Sequence, residues 1–156
     1  MHFRLYQPGD FTQLYLIEEE CFQPPLRFPR SYMRQLVSSI CTATWVAEEE
    51  GVLAGFAIVE WLLEATETTS YIETVEVGAA WRKRGIGAEL LLRLERSARK
   101  AGTHSIWLHV DAENAPAIHL YEGRGYTQRG REENYYARQR PALIYVKLLS
   151  ELNADR

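Results

Sequence analysis

The feature that most constrains the fold is a change of pattern between residues 70 and 100. The segment "SYIETVEV" (Ser70–Val77) is rich in β-branched residues, which predicts a β-strand. A basic turn, "WRKRGIG" (Trp81–Gly87), follows it closely. Apolar residues then recur at helical spacing, which predicts a helix from Ile86 to about Lys100. Because free N–H groups and the positive end of the dipole lie at the start of that helix, the segment predicts an anion-binding site.

Two common phosphate-binding motifs do not fit this turn. A P-loop requires a lysine and then a hydroxyl residue after its second glycine, whereas Ala88 and Glu89 follow Gly87. A dinucleotide-binding fingerprint requires a third glycine three positions further on, where Leu90 stands. Gly85 and Gly87 leave room for a ligand to approach the backbone closely. We therefore interpret the turn as an anion site of another kind.

Patterns elsewhere in the chain predict an α+β architecture. The predicted strands are "FRLYQ", "TATWVAEE", "VLAGFAIVEWLL", "SIWLHV" and "ALIYVKLL", and the other helices run from Asp10 to about Cys21, from about Ser31 to Ser39 and over "APAIHLYEGRG". Asp10 and Gln13 resemble a capping box that begins the first helix. Three prolines make "CFQPPLRFPRSY" a loop. We expect one domain over residues 1–156, with a mixed, mostly antiparallel sheet.

Composition narrows the class of protein. The chain has 156 residues and a net charge of −3, which argues against a generally basic nucleic-acid-binding protein. No apolar run has the length of a signal peptide or a membrane span, so we expect a cytoplasmic protein with no membrane partner. Cys21 and Cys41 fit neither a disulfide framework nor a metal site and are predicted to be small buried residues. No metal is expected.

Three motifs resemble the GNAT superfamily of acetyltransferases. "RKRGIG" resembles the family's pyrophosphate-binding signature, Arg/Gln-x-x-Gly-x-Gly/Ala. "NAPAIHLYEGRGY" (Asn114–Tyr126) and "NYY" (Asn134–Tyr136) follow in the family's order, so the resemblance covers about the C-terminal half of the chain. The pattern is closest to RimI-like and NatE-type protein N-terminal acetyltransferases. The resemblance implies a sheet of about seven strands, flanked by about four helices and splayed around the cofactor.

The resemblance implies that acetyl-CoA is the cofactor. Backbone groups of Val75, Glu76 and Val77 would bind its pantetheine arm, and Asn114 and Tyr121 would hold that arm and the sulfur. The pyrophosphate would lie against the basic turn and the first helical residues, namely Arg82, Lys83, Arg84, Gly85, Ile86, Gly87 and Ala88.

The resemblance also implies catalytic roles. Tyr121 matches the tyrosine that protonates the departing thiolate, and its ordinary pKa near 10 keeps it protonated at neutral pH. Alternation places Tyr71 and Glu73 on one face of their strand. Tyr71 and His109 resemble the base pair of NatE-type enzymes, which works through an ordered water. Glu73 resembles the strand glutamate of polyamine acetyltransferases and is the alternative base, and RimI-type enzymes have a glutamate where His109 stands.

Two loops resemble the substrate gate of protein N-terminal acetyltransferases. Tyr135 and Tyr136 match the paired tyrosines that grip the peptide backbone, in a loop before the final strand. Phe28, Pro29 and Tyr32 match a segment that lines the pocket for the first substrate residue. Because an α-amine is less basic than a lysine side chain, a mild base favours an N-terminal acceptor. We expect a monomer or homodimer that acetylates a protein N-terminus.

Two other functions stay open at this point. The acceptor could be a polyamine, an amino acid or an aminoglycoside, since Glu73, Glu76 and Glu48–Glu50 would suit a polycationic substrate. The chain could also bind acyl-CoA as a regulator without turnover.

Overall fold

The computed structural model describes residues 1–61 and 68–149. The strands are β1 (His2–Leu5), β2 (Thr42–Glu49), β3 (Val52–Trp61), β4 (Thr69–Val77), β5 (Ser105–Asp111), β6 (Thr127–Ala137) and β7 (Arg140–Leu148). The helices are α1 (Phe11–Cys21), α2 (Arg30–Ser38), α3 (Ile86–Lys100) and α4 (Ala115–Gly123). The strands form one seven-stranded sheet in the order β1-β2-β3-β4-β5-β7-β6, which confirms the predicted α+β class. Leu62 and Leu63, the end of the predicted "VLAGFAIVEWLL" strand, lie outside the described residues.

The sheet opens between β4 and β5, its one parallel pair among the described strands. Their pairing covers only Thr69–Ile72 and Ser105–Leu108. Beyond it, β4 stays paired with β3 as far as Val77, and β5 stays paired with β7 as far as Asp111. The predicted splaying of the sheet is therefore present, and beyond Ile72 the edge of β4 that faces β5 has no strand partner among the described residues.

Helix α3 covers one face of the sheet, and α1 and α2 cover the other. The buried apolar positions of α3 are those that the helical spacing predicts, namely Ile86, Leu90, Leu91, Leu94 and Ala98. Burial of each leucine side chain stabilises the fold by about 1.5–3 kcal/mol. The basic turn before α3 is thereby held at a defined place beside the opening.

The predicted Asp10–Gln13 capping box is wrong. The Asp10 carboxylate instead accepts hydrogen bonds from Gln7 N at 2.8 Å and from the Arg4 guanidinium at 2.8 and 2.9 Å. The Gln13 side chain reaches the start of β3, where its Oε1 accepts a hydrogen bond from Leu53 N at 2.9 Å. The Arg4 cation holds the pKa of Asp10 below its ordinary value. Asp10 therefore caps the short turn that begins at Pro8 and also pairs with a charged group on β1.

Strand β6 was not predicted, and the pair Tyr135–Tyr136 lies at its end rather than in a loop. The strand is exposed along most of its length and has no apolar alternation, because it is the outer edge of the sheet. Its pairing with β7 is irregular between Glu132 and Ala137, where Asn134 has a left-handed φ of 55°. This irregularity is what lets both tyrosine rings reach the opening.

Two smaller findings complete the fold. Cys21 and Cys41 are partly buried, not fully buried as predicted. Within residues 1–61 and 68–149, no helix has the length and apolar character that a membrane crossing requires.

Candidate active site

A cavity of about 800 Å³ lies in the opening of the sheet. Its walls come from the end of β3, from β4, β5, the end of β6 and α4, and from the segment that joins α1 to α2. The predicted site residues that line it are Phe28, Pro29, Tyr32, Tyr71, Glu73, Val75, His109, Asn114, Tyr121, Tyr135 and Tyr136. Segments far apart in the sequence thus converge on one cavity.

The alternation of β4 and β5 orients the cavity wall. Residues 71–75 all line the cavity. Tyr71, Glu73 and Val75 are half-buried, whereas Ile72 and Thr74 between them are buried. The predicted face of β4 is therefore its more exposed face.

Tyr71 and His109 form a direct pair across the opening. The Tyr71 hydroxyl lies 2.8 Å from His109 Nδ1. The Tyr135 ring stacks on the imidazole at 4.2 Å, with 12° between the planes. Burial is the main cause that raises the pKa of Tyr71, and the neighbouring Tyr135 raises it further. The Tyr71 hydroxyl therefore keeps its proton at neutral pH. If this pair takes up a proton, the imidazole of His109 is therefore the group that finally holds it.

Glu132 binds the other side of the imidazole, and sequence reasoning missed it. His109 Nε2 lies 2.9 Å from Glu132 Oε1. The residue sits on β6, whose polar sequence gave no strand signal, so no spacing rule could have paired Glu132 with His109 on β5.

Glu73 faces a second carboxyl, that of Glu60, which sequence reasoning also missed. Burial, and next the adjacent Glu60, raises the pKa of Glu73 to about 8. The Tyr32 hydroxyl donates to Glu73 Oε1 at 2.9 Å. Glu60 on β3 lies opposite Tyr71 on β4, so a correct prediction of this strand pairing would have indicated that Glu60 and Glu73 are neighbours. At neutral pH Glu73 is mostly protonated and is a poor base.

The side chain of Glu76 points away from the cavity. It is only 2% exposed, and it accepts a hydrogen bond from the Thr74 hydroxyl at 2.7 Å. Burial is the main cause that raises the pKa of Glu76 well above the ordinary value, and the neighbouring carboxyl of Glu18 raises it further. The predicted contact of Glu76 with the cofactor would therefore involve its backbone alone.

Tyr121 and Asn114 come from the two ends of the short helix α4. Tyr121 is 5% exposed. Burial is the main cause that raises its pKa, and the neighbouring Tyr136 raises it further, so the hydroxyl stays a proton donor at neutral pH. Asn114 caps the helix, since its Oδ1 accepts from Ala117 N at 3.2 Å. Its amide NH₂ is a donor group at the cavity wall.

The turn before α3 has the shape of an anion cradle. Lys83 and Gly85 have left-handed φ values of 63° and 78°, and the first helical bond runs from Glu89 N to Gly85 O. The amides of Ile86, Gly87 and Ala88 precede that bond and lie at the open end of the helix. A Cβ on Gly87 would meet only ordinary contacts, the nearest at 3.5 Å, so close packing within the protein does not require glycine there.

Two of the three exposed cationic side chains of this turn contact the protein. Arg82 Nε donates to Val77 O at 3.0 Å, and the Arg84 guanidinium lies 5.3 Å from the centre of the Trp81 ring. The backbone amides and the helix dipole could hold an anion here, and the charge of Arg82, Lys83 and Arg84 adds to the local field.

The segment that carries Phe28 is fixed to α1 by both of its backbone polar groups. Glu18 Oε2 accepts from Phe28 N at 3.0 Å, and the Tyr15 hydroxyl donates to Phe28 O at 2.7 Å. The rings of Phe28 and Tyr32 lie 5.1 Å apart, and Pro29 directly precedes α2. The three predicted pocket residues therefore form one apolar wall with a hydroxyl at its edge.

Comparison with known proteins agrees with this geometry. A model of the acetyltransferase (GNAT) family matches residues 11–126. The chain is 35% identical over 88 residues to the ribosomal protein bS18-alanine N-acetyltransferase of Escherichia coli K12 (56% of this chain, 57% of that protein). It is 36% identical over 77 residues to N-alpha-acetyltransferase 50 of Danio rerio (49% and 46%) and 38% identical over 87 residues to streptothricin acetyltransferase of Streptomyces lavendulae (56% and 45%). The chain spans about half the length of these curated relatives.

Solved structures share the fold over nearly the whole chain. The ribosomal-protein-S18-alanine N-acetyltransferase from Escherichia coli superposes with a TM-score of 0.83 at 23% identity, covering 99% of this chain and 97% of the other. Arabidopsis thaliana NAA60 in complex with acetyl-CoA gives a TM-score of 0.84 at 23% identity, covering 95% and 98%.

Proposed function

Because the chain belongs to the acetyltransferase (GNAT) family, we propose that it is an acetyl-CoA-dependent N-acetyltransferase that acts on the N-terminal α-amine of a protein or peptide. The observation that carries this proposal is the Tyr71–His109 pair, 2.8 Å apart in the opening of the sheet. The two substrate-gate segments line the same cavity. The anion cradle follows the end of β4, where Arg82 Nε donates to Val77 O. A cytoplasmic location and a monomeric or homodimeric state stay predictions.

The residues of the cavity fit acetyl-CoA. The amides of Ile86, Gly87 and Ala88 would hold the pyrophosphate, and the free edge of β4 offers backbone groups to the pantetheine. Asn114 has an amide donor group at the cavity wall. Acetyl-CoA supplies an acetyl group activated as a thioester.

Transfer needs a base for the amine and an acid for the thiolate. A C–N bond forms as the C–S bond breaks, and the amine proton passes through Tyr71 or a water to His109. Tyr121 donates its hydroxyl proton to the departing sulfur and recovers a proton afterwards. No acyl-enzyme is needed, because the amine itself is the nucleophile.

His109 is the better base of the two candidates. Burial and Glu60 raise the pKa of Glu73 to about 8, so its carboxyl is largely neutral at pH 7. An imidazole has an ordinary pKa near 6.5, which suits proton transfer at neutral pH. Glu73 then orients Tyr32 and shapes the pocket beside the amine.

The α-amine is favoured over lysine by two observations. Its ordinary pKa of about 7.7–8.0 leaves a sizeable neutral fraction, whereas a lysine near 10.4 is almost wholly charged. The relatives that act on bS18 alanine and the relative called N-alpha-acetyltransferase 50 match this chain at 35% and 36% identity.

A small cationic amine is the second candidate acceptor. The paired carboxyls of Glu60 and Glu73 line the cavity, and a bound cation would favour their ionised form. The similarity to streptothricin acetyltransferase points in the same direction.

Thiol release from acetyl-CoA with three acceptor sets tests the proposal. The sets are lysine-free peptides with free N-termini, N-blocked peptides that contain lysine, and small polyamines or aminoglycosides. We expect turnover with the first set. Turnover confined to the third set would overturn the N-terminal assignment and make Glu73 the better candidate for the base.

A further inference from the structure

We infer that Glu132 is a positioning residue, which fixes the tautomer and orientation of His109 for proton transfer. The inference rests on the proposed role of His109 in acetyl transfer. Glu132 lies on β6, and its Oε1 is 2.9 Å from His109 Nε2. The His109 side chain is only 8% exposed, whereas that of Glu132 is 49% exposed. The carboxylate therefore reaches a buried ring from the solvent side of the site.

The hydrogen bond to Glu132 determines which ring nitrogen carries the proton. An ionised carboxylate only accepts hydrogen bonds, so His109 must donate from Nε2. Its Nδ1 is then left with a lone pair directed at the Tyr71 hydroxyl, 2.8 Å away. With the opposite tautomer, Nδ1 could not accept a proton.

This arrangement defines a relay of three groups. The Tyr71 hydroxyl proton moves to Nδ1 as the Tyr71 oxygen takes a proton from the amine, either directly or through an intervening water that gives up one proton and receives that of the amine. The result is a neutral Tyr71 and an imidazolium between Tyr71 and Glu132. The positive charge develops beside a negative one, which lowers the free energy of the charged state.

The other neighbours of the ring do not supply that charge. Tyr71 on β4 stays protonated, with Glu73 two residues away, and Trp107 on β5 packs at 5.2 Å without a titratable group. Tyr135 on β6 stacks on the opposite face. Among the described residues, Glu132 is therefore the one whose carboxylate is seen to hydrogen-bond the His109 ring.

The adjacent Glu133 provides a matched control. It is 63% exposed and pairs with Arg131 on the surface. Glu133→Gln removes the same charge from the same strand one residue away. We expect its kcat to stay within about twofold of the wild type, as is usual for surface substitutions.

The decisive experiment combines Glu132→Gln with His109→Gln and uses whichever acceptor amine the enzyme turns over. We expect Glu132→Gln to lower kcat by about ten- to a hundredfold with little change in KM, by analogy with the loss of an orienting hydrogen bond. In the His109→Gln background, Glu132→Gln should have no further effect.

Two results would overturn the inference in distinguishable ways. Suppose first that His109→Gln is strongly impaired. If Glu132→Gln then behaves like Glu133→Gln, or lowers kcat by the same factor in the presence and in the absence of His109, Glu132 is only a structural residue of β6. If His109→Gln itself keeps full turnover, then the proposed base is wrong, and the role of Glu132 fails with it.

Discussion

The Tyr71 hydroxyl and His109 Nδ1 lie 2.8 Å apart on two neighbouring strands whose pairing ends at Ile72 and Leu108. The pair thus stands where the sheet opens. The proposed proton transfer would then take place at a break in the hydrogen-bond ladder of the sheet.

His109→Gln should lower kcat by about a hundredfold or more, because the final proton acceptor is lost. Glu73→Gln should cost clearly less, since a carboxyl whose pKa is about 8 is mostly neutral at pH 7. Steady-state kinetics at pH 7 tests both, and His119→Gln on the exposed face of α4 is the control. A larger loss for Glu73→Gln than for His109→Gln would reverse the assignment of the base.

Gly87→Asp should weaken acetyl-CoA binding by roughly tenfold or more, because a carboxylate would face the pyrophosphate at the helix start. The fold should persist, since a Cβ at this position meets only ordinary contacts. Titration calorimetry measures the affinity, and circular dichroism checks the fold. Gly9→Asp, at a position with open space around it, carries the same added charge. Equal affinity in Gly87→Asp and Gly9→Asp would contradict the placement of the anion site.

Tyr121→Phe should lower kcat by about a hundredfold and spare acetyl-CoA binding, because only the hydroxyl proton is lost. Single-turnover rates measured beside the cofactor Kd separate the two effects. A parallel loss of binding would mean that the hydroxyl holds the cofactor and does not act as an acid.

Tyr136→Ala should raise the KM for peptides and leave small amines nearly unaffected, because its ring lines the cavity in one of the two proposed substrate-gate segments. Tyr136→Phe separates the ring from its hydroxyl. Equal losses for peptides and small amines would remove Tyr136 from the substrate gate.

Glu76→Gln should stabilise the protein at neutral and alkaline pH. The pKa of Glu76 is raised on folding, so the unfolded chain loses this proton near its ordinary value while the folded protein keeps it. Stability therefore falls as the pH rises above the unfolded pKa, until the folded group ionises too. Each kcal/mol gained should raise Tm by about 2–4 °C.

Thermal unfolding at pH 5 and pH 8 measures this effect, with Glu133→Gln as the exposed control. A difference between Glu76→Gln and the wild type that does not grow with pH would show that Glu76 is ionised in the folded protein.

The elements that carry the candidate cofactor site could be predicted from the sequence, because their signals are local. Alternation identified the face of β4 that carries Tyr71, and helical spacing identified the buried side of α3. Glu132 escaped prediction because an exposed edge strand needs no apolar pattern. The Glu18–Glu76 neighbours escaped because a buried carboxyl on a strand contradicts the usual rule for charged residues.

The most direct test of the N-terminal assignment uses one peptide that has both a free α-amine and an internal lysine. Mass spectrometry after a short reaction with acetyl-CoA locates the acetyl group. We expect acetylation of the α-amine, with the lysine unmodified. Acetylation of the lysine side chain, with the α-amine left free, would contradict the assignment.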